Sequence, residues 1–196
     1  MDQGIIVSIQ TYNKTTTQEL AKRAIEGGAV AIRTDQPIKV KCDVIGLRKI
    51  PERRFYITSE LWAVKEVMQW TNLIAIDSRK GNMELEILYA FCHINNIDIV
   101  ADVANIEDVK SLLLMLNNKK IMMPKYIATT FAKGSLEIIR NIKNITSIPV
   151  IAEGGYNSEA NVSFARHIGA HAVCIGEAIS KIDCLTNKFV GYWNGL

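Results

Sequence analysis

The stretch that decides the fold is Ile148-Pro149-Val150-Ile151-Ala152-Glu153-Gly154-Gly155. Its apolar run is too short for a helix, ends in small residues and is followed by a helical pattern, which marks a fully buried parallel strand feeding a turn. The pattern returns in altered form at Ala172-Val173-Cys174-Ile175-Gly176. Both read as late strands of a β/α barrel, where glycines after the seventh and eighth strands let backbone N–H groups approach a phosphate. Gly154, Gly155 and Gly176 are therefore the phosphate-binding candidates. Glu153 stands directly before the glycine pair, where a carboxylate repels an anionic ligand unless the chemistry requires it, so it is the first catalytic candidate.

Working outward, the same unit repeats along the chain. Strand one is Gly4-Ile5-Ile6-Val7-Ser8-Ile9-Gln10, followed by a helix over 15–25 that Gly27-Gly28 closes as a C-cap. Strand two, Ala29-Val30-Ala31-Ile32-Arg33, ends in a polar residue again. Too few residues separate it from Cys42-Asp43-Val44-Ile45-Gly46-Leu47 for a helix with its turns, and Pro37 interrupts them, so the second helix is reduced or missing. Strand three ends in Arg48-Lys49. Beyond Pro51, Tyr56-Ile57-Thr58 leads to an N-cap at Thr58 or Ser59 and a helix over 60–70. Leu73-Ile74-Ala75-Ile76-Asp77 is strand four, then come a helix over 83–95 and strand five, Asp98-Ile99-Val100-Ala101-Asp102-Val103. Asn105 caps a helix over 106–116, Tyr126-Ile127-Ala128-Thr129-Thr130 is strand six, and a brief helix spans 135–142. Helices over 158–168 and from about Ser180 toward Trp193 follow strands seven and eight, and Phe189-Val190-Gly191-Tyr192-Trp193 is expected to pack outside the barrel.

Apolar runs alternating with helical patterns are the signature of βαβ units. A doubly wound open sheet is the competing architecture. The barrel is preferred because polar residues gather at the carboxyl end of nearly every strand, where a barrel collects its site. The expected fold is one α/β domain over 1–196, a (β/α)8 TIM barrel of the ribulose-phosphate-binding type. At 196 residues the chain is short for that architecture, which usually takes about 250, so several connections must be trimmed.

Charge and cysteine usage narrow the partners. Lys plus Arg is 23 against 20 Asp plus Glu, scattered rather than in a stripe, which points to an anionic small molecule and away from nucleic acid. Cys42, Cys92, Cys174 and Cys184 lack CxxC spacing and read as reduced core thiols, which points to the cytoplasm. Nothing at the start resembles a signal peptide, and no apolar run approaches the roughly 20 residues that span a bilayer, so no membrane partner is expected. His93, His167 and His171 have no metal-ligand spacing and read as structural.

Around the ring, the strand ends offer Gln10, Arg33, Lys49, Asp77, Asp102, Thr129 or Thr130, Glu153 and Gly176. Singly, each has a bland reading as a turn residue, a cap or a solvated charge. Independent surface charges have no reason, however, to fall at the same relative position in successive units. A ring of lysine and carboxylates above a phosphate cup suits proton transfer next to a carbonyl or hemiacetal carbon. Lys49 would act as the base only if burial or a neighbouring cation kept it partly neutral.

These strand-end motifs resemble, in order and along the whole chain, those of the N-acetylmannosamine-6-phosphate 2-epimerase family. The carriers are Ile6-Val7-Ser8-Ile9-Gln10, Gly27-Gly28-Ala29-Val30-Ala31-Ile32-Arg33, Val44-Ile45-Gly46-Leu47-Arg48-Lys49, Ile74-Ala75-Ile76-Asp77, Val100-Ala101-Asp102-Val103, Ile127-Ala128-Thr129-Thr130, Val150-Ile151-Ala152-Glu153-Gly154 and Ile175-Gly176-Glu177-Ala178-Ile179. The resemblance implies a bacterial cytoplasmic isomerase of amino-sugar and sialic acid catabolism that removes and returns the C2 proton of an N-acetylhexosamine 6-phosphate. It implies Lys49 as acid/base at C2, Glu153 as its catalytic partner at the sugar ring, and Gln10, Arg33 and Asp102 as holders of the sugar and its N-acetyl group. Asp77, Thr129 and Lys181 complete the candidate substrate contacts. No metal or organic cofactor is implied.

The chain departs from the family pattern where Gly-Gly-Ala-Ile-Thr-Arg-Pro becomes Gly176-Glu177-Ala178-Ile179-Ser180-Lys181-Ile182, which keeps a cation but sets Glu177 beside the phosphate cup. The alternatives are a catalytically silent phosphosugar-binding relative and another enzyme on a phosphate-binding barrel, such as a thiamine-phosphate-synthase-like protein. The helix-less flank beside strands two and three is a candidate homodimer surface.

Overall fold

The computed structural model describes residues 1–10, 13–50, 57–132 and 136–180. The strands are β1 (Gly4–Ile9), β2 (Ala31–Thr34), β3 (Asp43–Gly46), β4 (Leu73–Asp77), β5 (Asp98–Asp102), β6 (Tyr126–Ala128), β7 (Val150–Glu153) and β8 (Ala172–Ile175). Each pairs in parallel with the next, and β8 pairs with β1, so the sheet closes into a barrel. The helices are α1 (Lys14–Glu26), α2 (Leu61–Val67), α3 (Leu85–Ile94), α4 (Ile106–Lys119), α5 (Leu136–Ile145), α6 (Glu159–His167) and the single turn α7 (Glu177–Ser180). Among the described residues no helix joins β2 to β3, as the short connection through Pro37 predicts.

Two apolar layers follow from the period of two along each strand. Ile6, Ala31, Ile45, Leu47, Leu73, Ala75, Val100, Tyr126, Ala128, Ile151, Ala172 and Cys174 fill the barrel interior. Their alternates, including Ile74, Ile76, Ile99, Ala101, Ile127 and Ala152, pack outward under Val64, Leu88, Val109, Leu112, Ile139 and Ala165 of the helices. This parity decides where the polar strand ends point. Ser8, Arg33, Asp77, Asp102, Thr130 and Glu153 each lie two residues beyond an interior residue, so they form the next layer up, at the carboxyl-end mouth.

Local sequence signals explain several helix ends. Asn105 begins α4 with a capping box, accepting from Asp108 N at 3.0 Å while Asp108 Oδ2 accepts from Asn105 N at 3.2 Å. Gly28, at φ +95°, ends α1 as the glycine pair predicts, donating to the Ile25 carbonyl. The start of α2 differs from expectation. Thr58 sits at φ +43°, and its hydroxyl accepts from Arg48 N at 3.0 Å, while Leu61 N donates to Glu84 Oε2 at 3.0 Å. Neither Thr58 nor Ser59 caps the helix, because a carboxylate from the start of α3 reaches across to do so. The fifth helix runs to Ile145, longer than its sequence pattern suggested. The turn Glu177–Ser180 precedes the expected terminal helix, of which only its start at Ser180 falls within the described residues; Lys181, Cys184 and the 189–193 aromatic tail lie outside them.

Candidate active site

The mouth of the barrel is built around Arg33. Its guanidinium is 1% exposed and pairs with fully buried Asp102 through Nη1–Oδ1 at 3.1 Å and Nη2–Oδ2 at 2.5 Å. Nη1 also stands 3.2 Å from Glu153 Oε2. Thr130 Oγ1 donates to Asp102 Oδ1 at 2.8 Å. One buried cation thus bridges two carboxylates from β5 and β7, a fork that arginine can form and lysine cannot.

Glu153 differs from Asp102 in facing space. It lines a cavity of about 290 Å³ with Ser8, Thr130, Gly154, Cys174 and Glu177, while its Oε2, itself buried, makes the ion contact with Arg33 and no hydrogen bond. Burial pushes its carboxyl up to about 7, against the pull of Arg33 and with the further push of Asp102. Burial likewise raises Asp102, with Arg33 opposing. The Arg33 guanidinium is held charged because Asp102 and Glu153 outweigh the cost of its burial. Burial and the nearby Glu153 keep the Cys174 thiol protonated.

The raised Glu153 carboxyl has a consequence for stability. Its folded value lies above the usual 4.5, so the stabilisation is complete below about 4.5 and is lost as pH rises through about 7. The melting temperature should therefore fall across that window, and Glu153→Gln should flatten the fall. An identical pH dependence in wild type and variant would place the ionisation elsewhere.

The glycines shape the cavity rim. Gly154 and Gly155 have φ of +91° and +101°, and a Cβ on Gly154 would stand 2.6 Å from the Thr130 carbonyl oxygen. A side chain there would push β7 off the strand end that supplies Thr130 to Asp102. Gly176 lines the same cavity beside Ser8.

The remaining candidates fall in different places. Gln10 follows β1 and donates to Ser8 Oγ at 2.9 Å. Lys49, half-exposed, follows β3 with Nζ 4.0 Å from Asp35 Oδ2, and it is not among the residues lining the Glu153 cavity. In the strand order β3 and β7 are four apart, so Lys49 and Glu153 stand on opposite walls of the mouth. Asp77 is fully buried and is engaged by Arg79 instead of facing the cavity, with Nε–Oδ1 at 3.0 Å and Nη2–Oδ2 at 2.7 Å. Thr129 is buried too, its hydroxyl exchanging hydrogen bonds with the backbone N and O of Glu153 at 3.0 Å each. Parity turns Thr129 outward and Thr130 inward, so Thr130 takes the place at the mouth expected of Thr129. Arg79 and Tyr156, the latter buried in the cavity wall, carry no signal in the sequence, because both lie in loops where no period of two reveals orientation. His93 accepts from Met122 N at 3.1 Å and His171 contacts the Met1 carbonyl at 3.2 Å, in keeping with structural roles.

A closed parallel barrel with a guanidinium–carboxylate cluster at its carboxyl-end mouth defines the chain as a (β/α)8 barrel of the enzyme-bearing kind. Residues 17–194 match the family model described as "Putative N-acetylmannosamine-6-phosphate epimerase". The chain belongs to this N-acetylmannosamine-6-phosphate epimerase family. A Mycoplasmopsis pulmonis protein named "Putative N-acetylmannosamine-6-phosphate 2-epimerase" is 30% identical over 91% of this chain and 89% of its own length. A protein of the same name from Clostridioides difficile is 29% identical over 87% of this chain and 84% of its own. Among solved structures, the N-acetylmannosamine-6-phosphate 2-epimerase from Clostridium perfringens superposes with a TM-score of 0.81 at 22% identity, covering 96% of this chain and 92% of that one, a likeness of fold.

Proposed function

We propose that the chain is an isomerase that epimerises N-acetylmannosamine 6-phosphate to N-acetylglucosamine 6-phosphate by removing and returning the C2 proton. The observation that carries this reading is the Glu153 carboxylate: buried, raised toward neutrality and held by Arg33 in the wall of a cavity rimmed by Gly154, Gly155 and Gly176. A carboxyl near 7 can both take and give a proton at physiological pH. Lys49 on the facing wall is the second acid/base, working from across the sugar.

Arg33 holds Glu153 in place and keeps part of its population ionised. Through Asp102 it ties β2 to β5 and β7, so the carboxyl does not swing as substrate enters. Gln10 and Lys181 extend the sugar contacts, and the phosphate occupies the glycine rim. The reaction requires no cofactor on this reading. The enzyme works on a small sugar phosphate in the cytoplasm, as one barrel over 1–196, with a homodimer on the β2–β3 flank. Two facts support that location: among the described residues no helix is long and apolar enough to cross a membrane, and Cys42, Cys92 and Cys174 are free thiols.

Glu177 lines the cup and favours a second reading, a relative that binds phosphosugars without turnover. Heavy water separates the two. Incubation with N-acetylmannosamine 6-phosphate should place deuterium at C2, and Lys49→Ala should lower the incorporation by about 10²- to 10⁴-fold. A rise in melting temperature with the phosphosugar but no label would select the silent relative.

A further inference from the structure

Glu153 stands immediately before two residues with left-handed backbone, Gly154 at φ +91° and Gly155 at φ +101°. Glycine restrains the chain less than any other residue, so a consecutive pair is where the backbone most readily swings. A carboxyl that exchanges a proton with a bound sugar cannot share that freedom, since a misplacement of about 1 Å can cost about 10²-fold in rate.

The restraint comes from the end of β6. Thr129 N donates to the Ile151 carbonyl at 3.1 Å, one rung beyond the last paired residues of β6 and β7. Continued in the same parallel pattern, the ladder would have the Thr129 carbonyl accept from Glu153 N, and Phe131 N donate to the Glu153 carbonyl. Both backbone groups are engaged elsewhere. The Thr129 carbonyl accepts from Ala132 N at 2.9 Å, and Phe131 N donates to the Val103 carbonyl at 3.2 Å, because the chain here turns away from the barrel wall. The Thr129 hydroxyl takes over both roles, accepting from Glu153 N at 3.0 Å and donating to Glu153 O at 3.0 Å. Both main-chain polar groups of Glu153 thus meet one side chain. Thr129 is 1% exposed and shares its outward parity with Ile127, which packs under the helices, so it does not face a ligand at the mouth. Beyond the glycines the chain is held again by Tyr156, buried in the same outer layer as Ala165 of α6.

We propose that Thr129 is a positioning residue: its hydroxyl clamps the main chain of Glu153 on both sides of Cα and fixes the carboxyl against Arg33, while the glycines beyond it shape the rim. The proposal rests on the epimerase reading for its catalytic meaning but not for its test. Valine in place of Thr129 keeps the volume and leaves Glu153 N–H and C=O buried without their partner, whereas serine keeps the hydroxyl. Among the described residues, the groups facing the Glu153 carboxyl are Arg33 of β2, Asp102 of β5, Thr130 after β6 and Cys174 of β8, with Glu177 of α7 on the shared cavity.

The test follows the carboxyl directly. In protein labelled with ¹³C-glutamate, the Glu153 carboxyl resonance is identified by its loss in Glu153→Gln and titrated in wild type, Thr129→Val and Thr129→Ser. Thr129→Val should raise the midpoint by about one pH unit, because the carboxyl loosens from the guanidinium now 3.2 Å away that favours its charged form. Thr129→Ser should titrate near wild type. For C2 deuterium exchange, Thr129→Val should lower kcat by about 10- to 100-fold with KM within about threefold, and Thr129→Ser should restore it. A purely structural role would lower the melting temperature and move neither the midpoint nor the kcat of the folded protein. An unmoved midpoint in Thr129→Val, an exchange rate matching wild type, or a serine variant displaced as far as valine overturns the proposal. Should Thr129→Val fail to fold, Thr129→Ala carries the same expectations. Absence of deuterium label in wild type would remove the epimerase reading, while the titration would still decide the role of Thr129.

Discussion

Replacing Arg33 by methionine should lower the melting temperature by on the order of 10 °C. The side chain is 1% exposed, and it alone among the described cations contacts both Asp102 and Glu153. Removing one partner of a buried ion pair leaves the other charge desolvated, at a cost of about 3–5 kcal/mol. In a chain of this length each kcal/mol corresponds to roughly 2–4 °C. Part of the loss is recovered by protonation, since both carboxyls are already pushed upward. The deficit should therefore be larger at pH 8 than at pH 5, and thermal melts followed by circular dichroism at the two pH values measure it. A companion variant that also carries Asp102→Leu and Glu153→Gln removes the stranded charges and should regain most of the stability. A melt of Arg33→Met that matches wild type at both pH values would show that the cluster contributes nothing to the fold.

The second large effect concerns chemistry rather than stability. Glu153→Gln should reduce C2 deuterium incorporation by about 10²- to 10⁴-fold, the range contributed by a positioned acid or base. The same change should leave the melting temperature at neutral pH unchanged or higher. Glutamine keeps the volume and still offers an oxygen to Arg33, and it removes the ionisation of a buried group. This split distinguishes a proton-transfer group from a structural ion pair: a structural pair would lose stability and keep whatever exchange the folded fraction supports. Incorporation in Glu153→Gln within tenfold of wild type would move the acid/base role to another residue.

The pattern of the strand ends shows how far a one-dimensional reading reaches. Parity from Ala31 to Arg33, Val100 to Asp102 and Ile151 to Glu153 is a property of adjacent residues, and the sequence displays it without knowledge of the fold. Expectation and structure part where parity is ignored, as with Thr129 in place of Thr130. They part again where a partner comes from a distant element, as with Glu84 at the start of α2. Lys181 lies outside the described residues, and the resemblance alone suggests its role.

What the sequence by itself determined is the architecture: short buried strands alternating with amphipathic helices, a missing second helix, a glycine pair after the seventh strand, and a family pattern spanning the chain. These are local signals, carried by periodicity, capping residues and backbone freedom within a few positions. Only the tertiary structure decided which charges meet. Arg33 and Asp102 are 69 positions apart, and their pairing follows from closure of the sheet, which turns both side chains into one ring of low dielectric. The same closure gave Asp77 to Arg79, left Glu153 facing the cavity and set Lys49 on the opposite wall, because ion pairing depends on distance and burial in space and leaves no periodic trace along the chain.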